Sequence, residues 1–374
     1  MIGNNKKIYV TRPYLPPLDE FIPYLEKIWE SRQLTNMGPF HDQFERELEE
    51  YLGVKHISLV VNGTIALMLA LKALDIRGEV ITTPFSFVAT SHVLHWNNIK
   101  PVFVDIEPDY FNIDPDRIRA GITKNTRAIL PVHVFGNPCK NEQIMQIAQE
   151  YNLRTIYDAS HGFGVKLNES SILNFGDLSV LSFHATKAFN TFEGGAIISH
   201  SEKLKDRIDK LKNYGFINET TIEGFGINGK MNEFQAALGL LQLKHFDEQV
   251  SRRNKIVEIY KNGLKEIHGI SFINKKIGLE NSHSFLPILV NPSEYGNPRD
   301  YLYDYLKKNN IFTRRYFYPL ISDLPLYSKL PSASKRNLPV SARISQQVLC
   351  LPVYPDLEYD TIFKTVEIIK GISK

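Results

Sequence analysis

The sequence predicts an α/β protein with a large, mostly parallel seven-stranded sheet domain followed by a smaller α+β domain. Three observations predict it. Over roughly the first half of the chain, seven short apolar runs alternate with amphipathic stretches. One long helical pattern then spans Asn232 to Asn262, and shorter helical and extended patterns fill the rest. At 374 residues the chain also exceeds what one hydrophobic core usually organises.

The seven runs are Ile57–Val61, Glu79–Thr82, Lys100–Val104, Ala128–Val132, Thr155–Tyr157, Leu178–Ser182 and Ala196–Ser199. Several are rich in valine and isoleucine, as strands buried on both faces are, and helical patterns separate them. Thr64–Leu74 reads as a helix with Leu67, Leu71 and Leu74 on one stripe, and Asn141–Tyr151 reads likewise. The pattern at Asn232–Asn262 carries Phe234, Ala237, Leu238, Leu241 and Leu243 near its start and reads as a spine joining two domains. Beyond it, Ser282–Val290, the helix-like Arg299–Asn309 and the tail Tyr359–Ile372 form the smaller domain. The boundary is set near residue 245, giving a large domain at 1–245, with the amino-terminal segment, and a small domain at 246–374.

Composition narrows the function classes. Hydrophobic residues make up 43% and charged residues 23% of the chain, the ordinary globular range. The 44 basic and 41 acidic residues leave a net charge of +3 with no block of like charge, so a nucleic-acid partner is not expected. Cys139 and Cys350 stand alone without a CxxC pair, which argues for a reducing compartment, the cytoplasm by default, and against structural zinc. Met1–Lys7 has no apolar stretch behind its lysines, so it does not read as a signal peptide, and no run reaches the length of a membrane span. The 11 histidines show no HExxH-like spacing, and no metal is expected.

The most informative segment is Ser179–Lys187 followed by Phe192-Glu193-Gly194-Gly195-Ala196. It sets one lysine just after an apolar strand, among small and hydroxyl residues. Lys187 can there project its amine into a closed site and form an imine with a carbonyl cofactor. Asn62-Gly63-Thr64 lies between a strand and a helix start, where free N–H groups and a glycine can receive a phosphate; an ordinary turn with a threonine cap is the plainer reading. Asp158, at the end of the strand Leu153–Tyr157, can pair with a pyridine nitrogen and keep it protonated. His161 can bond a ring oxygen or pack beside the ring, and a satisfied structural histidine is the equal alternative. Thr83–Thr90 offers Phe85 and Phe87, either of which can stack on a flat cofactor or belong to the core. Gly224–Gly229 matches GxGxxG, but the polar Ile217–Glu223 before it is not the buried strand that a dinucleotide site requires. Arg252-Arg253 and Arg314-Arg315 read as paired cations on a solvated face, with a role in holding phosphates as the minority reading.

Taken in order, Gly63-Thr64, Pro84–Phe87, Asp158–His161, Ser182–Lys187, Glu193–Gly195 and Gly226–Ala237 resemble the DegT/DnrJ-type sugar aminotransferases across nearly the whole chain. The resemblance implies the aspartate aminotransferase-like fold (fold type I), a homodimer, and pyridoxal 5'-phosphate used to aminate keto groups of nucleotide-linked sugars. It implies that Lys187 holds the cofactor and shuttles the proton, Asp158 binds the pyridine nitrogen, Phe87 stacks, and His161 lies near the ring oxygen. Gly63, Thr64 and Ser182 hold the phosphate, and Asn228 reaches the phosphate in the neighbouring subunit. Lys230 stands where the family more often has arginine, so a bidentate contact there is lost. A lysine at 187, where related deoxygenating enzymes carry histidine, favours amino transfer. Leu15–Leu18, Leu34–Phe40 and Asn228–Met231 resemble the subgroup that forms dTDP-4-amino-4,6-dideoxyglucose, and Arg315, Tyr316 and Tyr318 fall in a segment bordering sugar and nucleotide. The expected reaction moves an amino group from glutamate to C4 of a dTDP-4-keto-6-deoxyhexose. The alternatives are a 3-keto or UDP-linked sugar substrate, or a non-catalytic cofactor-binding regulator.

Overall fold

The computed structural model describes residues 7–274 and 276–373; most of the amino-terminal Met1–Lys7 stretch therefore lies outside the described residues. Seven strands form the main sheet: β1 (His56–Val60), β2 (Glu79–Thr82), β3 (Lys100–Phe103), β4 (Thr126–Leu130), β5 (Arg154–Asp158), β6 (Leu178–Ser182) and β7 (Gly195–Ser199). Each lies on one of the seven apolar runs. Their spatial order is β1-β7-β6-β5-β4-β2-β3. Every pairing from β6 to β3 is parallel, whereas β7 runs antiparallel to both β6 and β1. The reason is the connection. Phe183–Gly194 makes turns rather than a crossover helix, so the chain can only return beside the strand it left. That short return carries Lys187.

Helices cover the sheet. α1 (Leu18–Ser31) and α2 (Pro39–Leu52) precede it; α2 buries Phe40, Phe44, Leu48 and Leu52 on one stripe. α3 (Gly63–Ala73), α4 (Ala89–Trp96) and α5 (Asn141–Glu150) follow individual strands. The spine is α6 (Glu233–Leu264), 32 residues long. Its first half packs in the core that contains Phe44, Phe163, Phe183, Phe189 and Phe246. From Ile256 onward it packs in a second core with the antiparallel sheet β8 (Ile270–Phe272), β9 (Leu286–Val290), β10 (Val348–Leu351) and the helices α7 (Arg299–Lys308) and α8 (Tyr359–Gly371). The amino-terminal Ile8–Tyr9 pairs with Ile311–Phe312, so the first described strand joins this second unit rather than the large one.

The start of α6 shows why its sequence is so specific. Asn232 and Gln235 form a reciprocal capping box, and Gln235 Nε2 also donates to the Glu193 carbonyl at 2.6 Å. Glu233 turns the other way. Its carboxylate accepts from the Phe40 and His41 N–H groups at 2.9 and 3.0 Å, capping α2, and a Cβ on Gly38 would come within 2.6 Å of its Cδ.

The reading of Arg252-Arg253 as two solvated cations needs correction. Arg252 is exposed and pairs with Glu248 at 2.7 Å, but Arg253 is fully buried and donates to the His283 and Val353 carbonyls. Burial lowers its pKa to about 10. Gly224–Gly229 follows an exposed hairpin, Phe216–Asn218 with Thr221–Ile222, and not a buried strand.

Candidate active site

The carboxyl ends of β1, β5 and β6 and the amino end of α3 converge at one edge of the sheet, the edge where open α/β sheets place their ligands. A cavity of about 390 Å3 opens there. Lys187 lines it together with Gly63, Thr64, Phe87, Asp158, His161 and Ser182. Seven positions spread over 125 residues of sequence thus share one space.

The anion seat is built by close packing. Asn62, not a threonine, caps α3: its side chain accepts from the Ile65 N–H at 2.9 Å, and the helix starts at Gly63 rather than Thr64. A Cβ on Gly63 would lie 2.7 Å from Ser182 Cβ, and one on Gly195 would lie 2.7 Å from the Asn62 carbonyl carbon. These two glycines let the start of α3 press against the ends of β6 and β7. The free N–H groups of the first turn then face the cavity beside the Ser182 hydroxyl.

Asp158 is buried and closely held. Its Oδ1 accepts from the Ser160 N–H at 3.1 Å and the Ser160 hydroxyl at 2.6 Å, and Oδ2 accepts from the Thr90 hydroxyl at 2.8 Å. Three donors therefore fix the direction of the carboxylate. His161 is neutral: burial first, then the nearby Lys187 charge, hold its pKa well below the usual histidine range. The Phe135 N–H donates to its Nδ1 at 3.2 Å, which leaves the ring proton on Nε2. Phe135 and Phe317 lie parallel to the imidazole, with centroids 6.4 and 6.1 Å away.

Lys187 follows a tight turn in which its N–H donates to the His184 carbonyl at 2.8 Å. A strip of the side chain stays open to the cavity. Burial lowers its ammonium pKa to about 8, with the Asp158 charge opposing the shift. Near neutrality a useful fraction of the amine is therefore unprotonated and nucleophilic. Beside it, His184 Nδ1 lies 2.8 Å from the Thr186 hydroxyl and Nε2 lies 3.5 Å from Glu193.

The aromatic choice left open by sequence resolves clearly. Phe85 is fully buried against Phe111, Phe135 and Phe317, whereas Phe87 is 58% exposed and lines the cavity. Tyr316 also lines the cavity. Arg315 and Tyr318 do not: Arg315 pairs with Asp300 at 2.9 Å and stacks on Tyr303 and Tyr318. Asn228 and Lys230 also lie off this cavity; Asn228 is exposed, and Lys230 Nζ bonds Asn213 Oδ1 at 2.6 Å. Sequence reasoning missed Phe285 and Phe317, which close the cavity from the small-domain side. Phe285 lies 5.8 Å from Lys187 Nζ and has no local signal around it. Thr90 was legible only as the end of the Thr83–Thr90 segment.

The sequence profile of the DegT/DnrJ/EryC1/StrS aminotransferase family matches residues 18–370. The chain belongs to this family. It is 52% identical over 98% of its length, and 99% of the relative's, to a dTDP-4-amino-4,6-dideoxy-D-glucose transaminase of Shigella dysenteriae. It is 50% identical, at the same coverage, to the Escherichia coli protein of that name. Among solved structures it superposes on DesI, determined in the presence of its TDP-sugar product, with a TM-score of 0.93 at 33% identity, covering 98% of this chain and 92% of that one. The fold is accordingly that of the fold type I aminotransferases, and the protein is a pyridoxal-phosphate-dependent aminotransferase. The cavity fits that cofactor. It offers one lysine of lowered pKa, a glycine cradle at a helix start that any side chain would fill, and a carboxylate with three of its acceptor positions already taken.

Proposed function

We propose that the chain transfers an amino group from glutamate to C4 of a dTDP-4-keto-6-deoxyhexose, giving a dTDP-4-amino-4,6-dideoxy sugar for surface polysaccharide such as O-antigen. The observation that carries this reading is the end-to-end identity of at least 50% to two transaminases named for that product. Their names supply the nucleotide and the carbon; the cavity supplies the chemistry.

Pyridoxal phosphate, when bound, supplies a carbonyl for amine capture and a ring that takes up electron density. The rest falls to the protein. Lys187 would anchor the cofactor through its amine and, when free, would serve as the proton carrier of the site; its lowered pKa suits both tasks. Asp158 would hold the ring nitrogen, and His161, whose Nε2 is left as a donor, would serve the ring oxygen. Gly63, Thr64 and Ser182 would hold the phosphate, and Phe87 would cover one face of the ring. Arg315, Tyr316, Tyr318 and Lys230 bind the sugar nucleotide. Tyr316, on the cavity wall, supports this most directly.

We also infer a homodimer in which Asn228 serves the phosphate site of the second copy. The supporting features are its exposure, its position off its own cavity, and the exposed apolar side chains of Phe87, Phe192, Phe216, Ile217 and Phe225. We further propose two domains meeting within α6, divided near residue 245 into 1–245 and 246–374, with Ile8–Tyr9 crossing to pair in the second and Phe246 packing in the core of the first. The cytoplasm is the proposed compartment: both cysteines are free and buried, and no described helix is long and apolar enough to cross a membrane.

The test is an assay with glutamate and a panel of keto sugars: dTDP-4-keto-6-deoxyglucose, a dTDP-3-keto isomer and a UDP-4-keto sugar. The expected result is turnover of the dTDP-4-keto substrate. Conversion of only the 3-keto or the UDP-linked compound overturns the assignment.

A further inference from the structure

The hydroxyls beneath Asp158 form a chain whose direction can be worked out. Thr90 is fully buried, Ser86 is 4% exposed, and their oxygens are 2.8 Å apart. Thr90 Oγ1 also lies 2.8 Å from Asp158 Oδ2. Thr90 Oγ1 donates to Asp158 Oδ2, so its single proton is used there. Thr90 Oγ1 is then left as the acceptor, and the Ser86 proton must point at Thr90. The two hydroxyls thus donate in series, Ser86 to Thr90 to Asp158, each bond polarising the next. On the other oxygen, Ser160 fills Oδ1 with two donors. The position that remains on Oδ2 is the one left for a ring N–H.

We propose that Thr90, polarised by Ser86, is a positioning residue that holds the Asp158 carboxylate aimed at the cofactor's ring nitrogen. Thr90 lies in the first turn of α4, and its N–H donates to the Phe87 carbonyl at 3.2 Å. The same turn therefore fixes both the carboxylate under the ring edge and the aromatic side chain assigned to its face. The inference rests on the role given to Asp158 above, and it adds the two residues that set that carboxylate's direction.

The test compares the parent protein with Thr90→Val, Thr90→Ser, Ser86→Ala and Asp158→Asn. Two quantities are measured: pyridoxal phosphate affinity by equilibrium dialysis, and ring-nitrogen protonation by 15N NMR of bound, 15N-labelled cofactor. Thr90→Val keeps the shape and removes the donor. It should weaken binding about tenfold or more, the usual effect of losing a hydrogen bond to a charged group, and shift the ring nitrogen toward its unprotonated signal. Thr90→Ser should restore both readouts, and Ser86→Ala should move both in the same direction by less. Parent-like affinity and an unchanged nitrogen signal in Thr90→Val overturn the inference. If Thr90→Val does not fold, Ser86→Ala carries the same two readouts, and parent-like values there overturn it. Should Asp158→Asn also leave both unchanged, the role of Asp158 itself falls; damage in Asp158→Asn with a silent Thr90→Val removes only the present inference.

Discussion

Replacing Gly63 by alanine should damage folding and cofactor binding together. The added Cβ would stand 2.7 Å from Ser182 Cβ, 3.0 Å from its Oγ and 3.2 Å from its Cα. Carbon atoms pack best at about 3.5–4.0 Å, so the start of α3 and the end of β6 must separate by about 1 Å. Overpacking of this kind costs about 1–3 kcal/mol; alanine's better helix propensity returns less than about 1 kcal/mol at a first-turn position. We therefore expect about 1–2 kcal/mol of lost stability in urea melts of the cofactor-free protein. The anion seat consists of those same two element ends, so pyridoxal phosphate affinity should fall by about tenfold. Ser182→Gly removes the Cβ and Oγ that clash. In a double-mutant cycle the pair should show a favourable coupling of about 1 kcal/mol in stability, even though Ser182→Gly alone is harmful. A Gly63→Ala protein as stable and as tightly loaded as the parent would refute the packing argument for this glycine.

Other outcomes follow from the same geometry. The rate at which cofactor-free protein captures pyridoxal phosphate should rise with pH through about 8, where Lys187 loses its proton, and level off above; a flat profile from about pH 7 to 9 would contradict the assigned pKa. Because the unfolded chain keeps that proton until the ordinary lysine range, the cofactor-free protein should also gain stability as pH rises from about 8 toward about 10. Glu233→Ala leaves the Phe40 and His41 N–H groups without their acceptor. It should lower stability by about 1–3 kcal/mol in melts while the turnover of surviving folded protein stays near the parent's. Phe87→Ala, at a residue 58% exposed, should change stability by less than about 0.5 kcal/mol yet weaken cofactor binding about two- to tenfold, both measurable on one preparation.

Much of the fold could be read from residues because a strand buried on both faces must be continuously apolar. β1 to β7 each lie on a mainly apolar run, with Lys100, Arg127 and Arg154 as exposed exceptions near strand starts, and α6 announces itself by length and cap. What sequence could not supply was direction. Nothing local in Ala196–Ser199 says that β7 runs antiparallel; that follows from the short Phe183–Gly194 return. The helices α1 and α2 were not foreseen, and α1 carries Pro23 within it. Arg253 escaped because burial of a guanidinium depends on carbonyls from distant segments, His283 and Val353. On the cavity wall, Lys187, Asp158 and Gly63 were legible, since each sits at a strand end or helix start with a distinctive neighbour, whereas Ser182 came only from the family resemblance. Phe285 and Phe317 were not, because their part in the cavity comes from how the small domain folds over the sheet. The choice between Phe85 and Phe87 likewise needed the structure: two phenylalanines two positions apart differ only in which way each points.

The central claim is that Lys187 carries the cofactor. Reducing the loaded protein with borohydride, digesting it and mapping the phosphopyridoxyl mass by tandem mass spectrometry tests this directly. The account predicts the label on the peptide containing Ser182–Lys187, at Lys187 alone. Label on a different lysine, or a loaded protein that borohydride leaves unlabelled, would contradict it.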